Sequence, residues 1–154
     1  MTEKTNINTV SDLGDSFNIS TEIVTYPVQA DPVELTSGGA ANTVGNLVSV
    51  INANTENNNF HVIGIYMCLN DTLGAYSVVL SEEDAGSAPT EEKIIVPTNG
   101  ETTVPADTHD YISLAKPVYW DCSKPICAAC SGPGIGKKVS IYVVIQRGLA
   151  PSKI

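Results

Sequence analysis

Cysteine is the residue best placed to do chemistry in this chain of 154 residues, and three of the four cysteines fall together in Cys122-Ser-Lys-Pro-Ile-Cys127-Ala-Ala-Cys130. A Cys-x-x-Cys pair lets two thiolates meet one tetrahedral Zn²⁺ when the segment turns tightly. Such a site takes about four ligands, and Cys68 is the candidate fourth if its strand passes beneath the loop. The other reading is a loop braced by the same cysteines, as a disulfide or as free thiols. Four cysteines are too sparse for a disulfide framework, and no βαβ pattern surrounds the pair as a thioredoxin-like redox site would require. Structural zinc and a loop brace both remain open at this point.

Other sites of reactive appearance dissolve on their spacing. The run Gly132-Pro-Gly134-Ile-Gly136-Lys-Lys138 has glycines that would admit an anion to backbone N–H groups. A Walker loop, however, needs Gly where Ser131 stands, Ser or Thr where Lys138 stands, and a helix rather than a strand to follow. The two histidines are His61, in an apolar run, and His109, beside Asp110; no Gly-x-Ser-x-Gly elbow presents a nucleophile to either. Glu82, Glu83, Asp84, Glu91 and Glu92 gather oxygen ligands without the carboxylate spacing or placed glycine of a calcium loop. Asn18 and Asn70 begin glycosylation sequons, which carry meaning only on a secretory route. The chain reads as non-enzymatic, with no cofactor except the zinc held open above.

Charge narrows the partners. Eight Lys and Arg stand against 17 Asp and Glu, a formal net charge of −9, and such a field repels a phosphate backbone. Nucleic acid is therefore not an expected partner. No apolar run reaches the roughly 18 residues of a membrane-spanning helix, and the first residues show no basic stretch followed by an apolar one. Synthesis in the cytoplasm, with no membrane partner, is the expectation.

These residues must be positioned by strands. Residues 1–19 are polar and broken by Asn, Asp and Gly, and read as an extended N-terminal arm that orders against a neighbour. From residue 20 the text becomes short β-branched runs, punctuated by Gly, Pro, Asn and Asp about every dozen residues, which predicts a sandwich or barrel. The fold class is all-β, a two-sheet antiparallel sandwich of Ig-like or jelly-roll-like type, with the domain over 20–150 and a tail over 151–154. Strands are expected at 20–28, 33–36, 44–53, 60–69, 75–80, 94–96, 111–115, 118–120 and 138–146, the first two at a sheet edge and 44–53 central. The asparagine-rich 54–59 predicts a hairpin joining 44–53 to 60–69. The segment 60–69 is apolar on both faces and is expected in the core. Subunit contacts are assigned to the arm and to aromatics near loop ends: Ser16, Phe17, Ile19, Tyr26, Tyr119 and Trp120.

From Thr43 onward the layout resembles the short β-sandwiches of phage virion structural proteins, such as head-decoration, neck and tail-associated modules. The resemblance is carried by Val48-Ser-Val-Ile-Asn52, a polar turn, the strand 62–67, Val104-Pro105 through Tyr111 to Leu114, Lys116-Pro117 to Trp120-Asp121, and the closing Val139-Ser-Ile-Tyr-Val-Val144. It implies a virion location, partners among other virion proteins, copies of itself in a homo-oligomer, and no catalytic residues. The chain departs from the pattern at 122–136, where the cysteine segment replaces a short Gly/Asp turn. The competing reading is a carbohydrate-binding or adhesion module in which Tyr119 and Trp120 stack on a sugar ring.

Overall fold

The computed structural model describes residues 22–39, 43–69, 74–96, 102–104 and 109–148, which contain ten strands and no helix. They are β1 (Glu22–Tyr26), β2 (Val33–Thr36), β3 (Val48–Ile51), β4 (Phe60–Leu69), β5 (Gly74–Ser81), β6 (Ile94–Val96), β7 (Thr102–Val104), β8 (His109–Trp120), β9 (Ile126–Ser131) and β10 (Lys138–Arg147). The first sheet runs β1-β10-β4-β8, with β2 also on β10; the second runs β3-β9-β5-β6, with β7 also on β5. Every pairing is antiparallel. The all-β sandwich of two antiparallel sheets expected from the periodicity is the fold observed.

The core follows from the alternation. Val139, Ile141, Val143 and Ile145 of β10, and Val62, Ile65 and Met67 of β4, face Tyr76, Val78 and Leu80 of β5 and Ile126, Ala128 and Cys130 of β9. Trp120 and Tyr76 are the largest side chains wholly shut from solvent. Aliphatic and β-branched residues do most of the filling, as the low aromatic content of 6% requires.

Four expectations about the strands are corrected. The segment 44–53 does not form a hairpin with 60–69. β3 pairs with β9 in the second sheet, whereas β4 lies between β10 and β8 in the first, so residues 52–59 cross from one sheet to the other. The asparagines expected to close a hairpin turn the chain across the sandwich instead, with Asn54 in the left-handed region at φ 63°. Among the described residues β3 pairs with one neighbour and is an edge, not a central strand.

The runs 111–115 and 118–120 are one strand, β8. Gly64 pairs with Ser113 and Val62 with Val118, so residues 114–117 bulge opposite Ile63 alone. A bulge on an outer strand is where Pro117 can stand without removing a ladder hydrogen bond. The cysteine segment, expected as a loop, supplies the buried strand β9.

Candidate interaction surface

Antiparallel pairing carries one row of side chains from each strand to the outer face of the first sheet. Tyr142 of β10 pairs with Tyr66 of β4, and Tyr66 with Tyr111 of β8, so three tyrosines form one row across three strands. Two rows along, beyond Val144, Gly64 and Ser113, Gln146 pairs with His61 and His61 with Tyr119. The rings touch along these rows: Tyr66 and Tyr111 have centroids 4.6 Å apart, and His61 meets Tyr119 edge-on at 5.8 Å. Four of the six tyrosines thus sit on one face.

Gly64 makes the row possible. A Cβ there would lie 2.5 Å from Cζ of Tyr111 and closer still to its hydroxyl, so the phenol rests on bare backbone. Loss of solvent at this position, with Tyr66 beside it, raises the Tyr111 hydroxyl above its ordinary pKa. Tyr142 donates to the carbonyl of Ala30 at 2.9 Å, and Asn59 donates through Nδ2 to the Tyr119 oxygen at 2.5 Å. Both contacts hold the rings in place while leaving Tyr66, Tyr111 and Tyr119 with 36%, 41% and 48% of their surface in solvent.

Among the described residues paired on this face, ionised side chains stand at one corner, where Lys138 and Glu34 lie 3.4 Å apart. The outer face of an antiparallel sandwich ordinarily carries polar and charged residues, so three successive rows without a charge, on a chain of net charge −9, are a departure from pattern. The second sheet differs: its outer row of Cys127, Ala129 and Val79 is covered by Leu47 and Val44. The Leu47 amide donates to Ser87 and its carbonyl accepts from Gly86, at 2.9 and 3.0 Å, locking that cover in place. Among the described residues, one outer face is closed by the chain itself and the other is left open.

At the edge beside this face, Glu56 of the inter-sheet crossing is buried and accepts from Arg147 and from the Tyr26 hydroxyl. Arg147 also donates to Glu22 at 2.8 Å. The guanidinium, and then the phenol, hold the Glu56 carboxyl below its usual range, whereas burial, reinforced by Glu56, pushes the Tyr26 hydroxyl up.

The sequence candidates scatter. Cys127 and Cys130 are three residues apart on a strand, so their thiols lie on opposite faces, Cys130 in the main core and Cys127 in the small outer cluster. The tight turn that a Cys-x-x-Cys zinc pair needs is replaced by β9. Cys68 is on the open face of β4, Cys122 follows β8, and all four are free thiols. Among the described residues no three His, Cys, Asp or Glu gather as metal ligands. Burial pushes the Cys130 thiol up to about 12 and raises those of Cys68 and Cys127.

Glu83 is engaged inside its own loop, accepting from the amides of Thr90 and Glu91, while Glu82 pairs with Lys93 at 2.6 Å. The glycine run 132–136 links β9 to β10 and is held by Ser37, whose hydroxyl donates to Gly134 and accepts from the Lys137 amide.

Of the expected contact residues, Ser16, Phe17 and Ile19 lie outside the described residues. Tyr119 is on the open face. Tyr26 points inward to Glu56. Trp120 is wholly buried, its indole donating to Pro125 at 3.2 Å under the Lys93 ammonium, so it serves the core and not a partner. Sequence reasoning missed Tyr66, Tyr111 and Tyr142. Their signal was in the alternation, since each tyrosine stands in the row opposite the aliphatic one.

No protein-family model matches the chain, and no curated protein matches it. Among solved structures, a chain from the structure of infectious bursal disease virus, Gx strain, is similar over 84% of this chain and 34% of that one, at 9% identity and a TM-score of 0.43. A chain from the crystal structure of the T13 IBDV viral particle is similar over 82% of this chain and 31% of that one, at 11% identity and a TM-score of 0.35. The chain therefore spans about a third of the length of the chains it matches, and both are from an animal virus rather than a phage.

Proposed function

We propose that the chain is a non-enzymatic structural subunit of a virus particle, acting through protein–protein contacts as a decoration, neck or tail component. The observation that carries this reading is the open outer face of the first sheet, where tyrosines stand in register without a charge among them. Tyrosine supplies large, rigid contact area with a hydroxyl that both donates and accepts, and interface centres are enriched in it and depleted of charge. The layout of Val48 to Asn52, the strand 62–67 and Val139 to Val144 supports placing that contact in a virion. There, symmetry turns modest contacts into avidity. The sugar-binding alternative loses half of its expected stacking platform with the burial of Trp120.

Immunogold labelling of particles purified from the source culture, with mass spectrometry of the same fraction, tests the reading. Gold on intact particles, with the chain present at a fixed ratio to the other particle proteins, is the expected result. Absence of the chain from the particle fraction would overturn it.

A further inference from the structure

We infer that the open tyrosine face is a self-contact, on which a second copy of this chain packs face to face across a two-fold axis. The inference deepens the contact-surface reading above and rests on it. In a two-fold contact, residues near the axis meet their own copies. A carboxylate there would meet a carboxylate, and an ammonium an ammonium. Among the described residues the three rows that run through Tyr66, Gly64 and His61 contain neither, Glu34 and Lys138 standing beyond them at the Ser140 corner, although the whole chain carries a net charge of −9. A basic partner drawn by that charge would find no carboxylate in those three rows to pair with, and Glu34 beside them already faces Lys138 at 3.4 Å. Another copy finds groups that match themselves, because a phenol hydroxyl donates and accepts and tilted rings interdigitate.

The edges of the first sheet favour the face over strand addition. The β8 edge carries the exposed Lys116 and Pro117 in its bulge, and the opposite edge is split into β1 and β2 by a segment holding Pro27 and Pro32. Lysine, proline and bulges are the devices that stop edge pairing. Strand spacing and rise give the face roughly 500 Å² of projected area. That lies at the small end of specific interfaces, as suits a contact of about micromolar strength that becomes firm only when repeated.

Sedimentation velocity of the full chain, from about 1 to 300 μM, reads the contact. A dimer is expected to build up across this range. Tyr66→Lys and Tyr66→Glu should each weaken it at least about tenfold, and an equimolar mixture of the two should restore it, because the opposite charges then face each other. Ile95→Lys, on the second sheet and 44% exposed, should leave the dimer unchanged, and circular dichroism of each monomer checks the fold. If the Tyr66 variants misfold, the same charge pair at Tyr111 serves.

A chain that stays monomeric throughout, a dimer indifferent to both charges, or no rescue on mixing would each overturn the inference. So would a monomer that binds a glycan array through Tyr119. Particle labelling with a charge-insensitive oligomer would sink the self-contact alone. A charge-sensitive dimer missing from particles would sink the virion reading alone.

Discussion

Arg147 lays its guanidinium fork on the Glu56 carboxylate, Nε to Oε1 at 2.6 Å and Nη2 to Oε2 at 2.8 Å. The pair ties the last residue of β10 to the segment that carries the chain from the second sheet to the first, and Glu56 keeps 5% of its side-chain surface. Removing the cation leaves a carboxylate that cannot reach water. Arg147→Met is expected to destabilise the fold by about 2 kcal/mol, less than a fully buried pair would lose because Arg147 remains partly solvated. Arg147→Met with Glu56→Gln should recover part of that loss. Urea unfolding of the three variants, read as a double-mutant cycle, checks both outcomes.

The same pair sets an acid dependence. Arg147 first, then Tyr26, hold the Glu56 carboxyl below its ordinary value of 4.5. A depressed folded pKa contributes stability that is complete above the unfolded value and is lost as pH falls through the folded one. Stability should therefore be level in Glu56's contribution above about pH 5 and decline below about 4.5. Glu56→Gln should start lower at neutral pH and show a shallower acid slope. Urea midpoints between pH 3 and 7 measure the difference; parallel curves would count against it.

Thiol accessibility should follow the strand geometry. Cys122 should react first with iodoacetamide in the native protein, and Cys68 more slowly. Cys127 and Cys130 should stay unmodified until the chain unfolds, since both are buried and Cys130 is pushed up to about 12. Elemental analysis should find no stoichiometric zinc, and a chelator should leave the thermal midpoint unmoved. Peptide mass spectrometry of alkylated protein gives the order; early loss of the Cys130 thiol would contradict it.

Trp120 is a built-in core probe. Its emission should be blue-shifted in the native state and move red on unfolding, and Trp120→Ala should cost about 3 to 5 kcal/mol. Gly64→Ala should cost less, about 1 kcal/mol, because the exposed Tyr111 ring can swing away. That change breaks the Tyr66–Tyr111 contact, and the near-ultraviolet circular dichroism of the tyrosines should report it.

Much of this protein is local and therefore legible in its sequence. β2 and β6 occupy the residues that their apolar runs and flanking Pro or Gly mark out, β4 fills its ten-residue run, and β10 extends the expected strand by Arg147. Alternation and turn chemistry act over a few residues, so composition and spacing alone determined the all-β class and the aliphatic core. Partnership between strands is not local. That 54–59 crosses between sheets depends on which strands flank β4, and on Glu56 finding Arg147 91 positions away.

The cysteines show the same division. Cys-x-x-Cys permits a shared ligand in a turn and forbids it in a strand, and β9 is a strand because β3 and β5 pair with it. The tyrosine rows required registers across three strands, whereas each tyrosine alone was one outward residue. Sequence determined which residues alternate; tertiary structure decided which rows were closed by Leu47 and which stayed open, because burial of a face depends on contacts far apart in the chain.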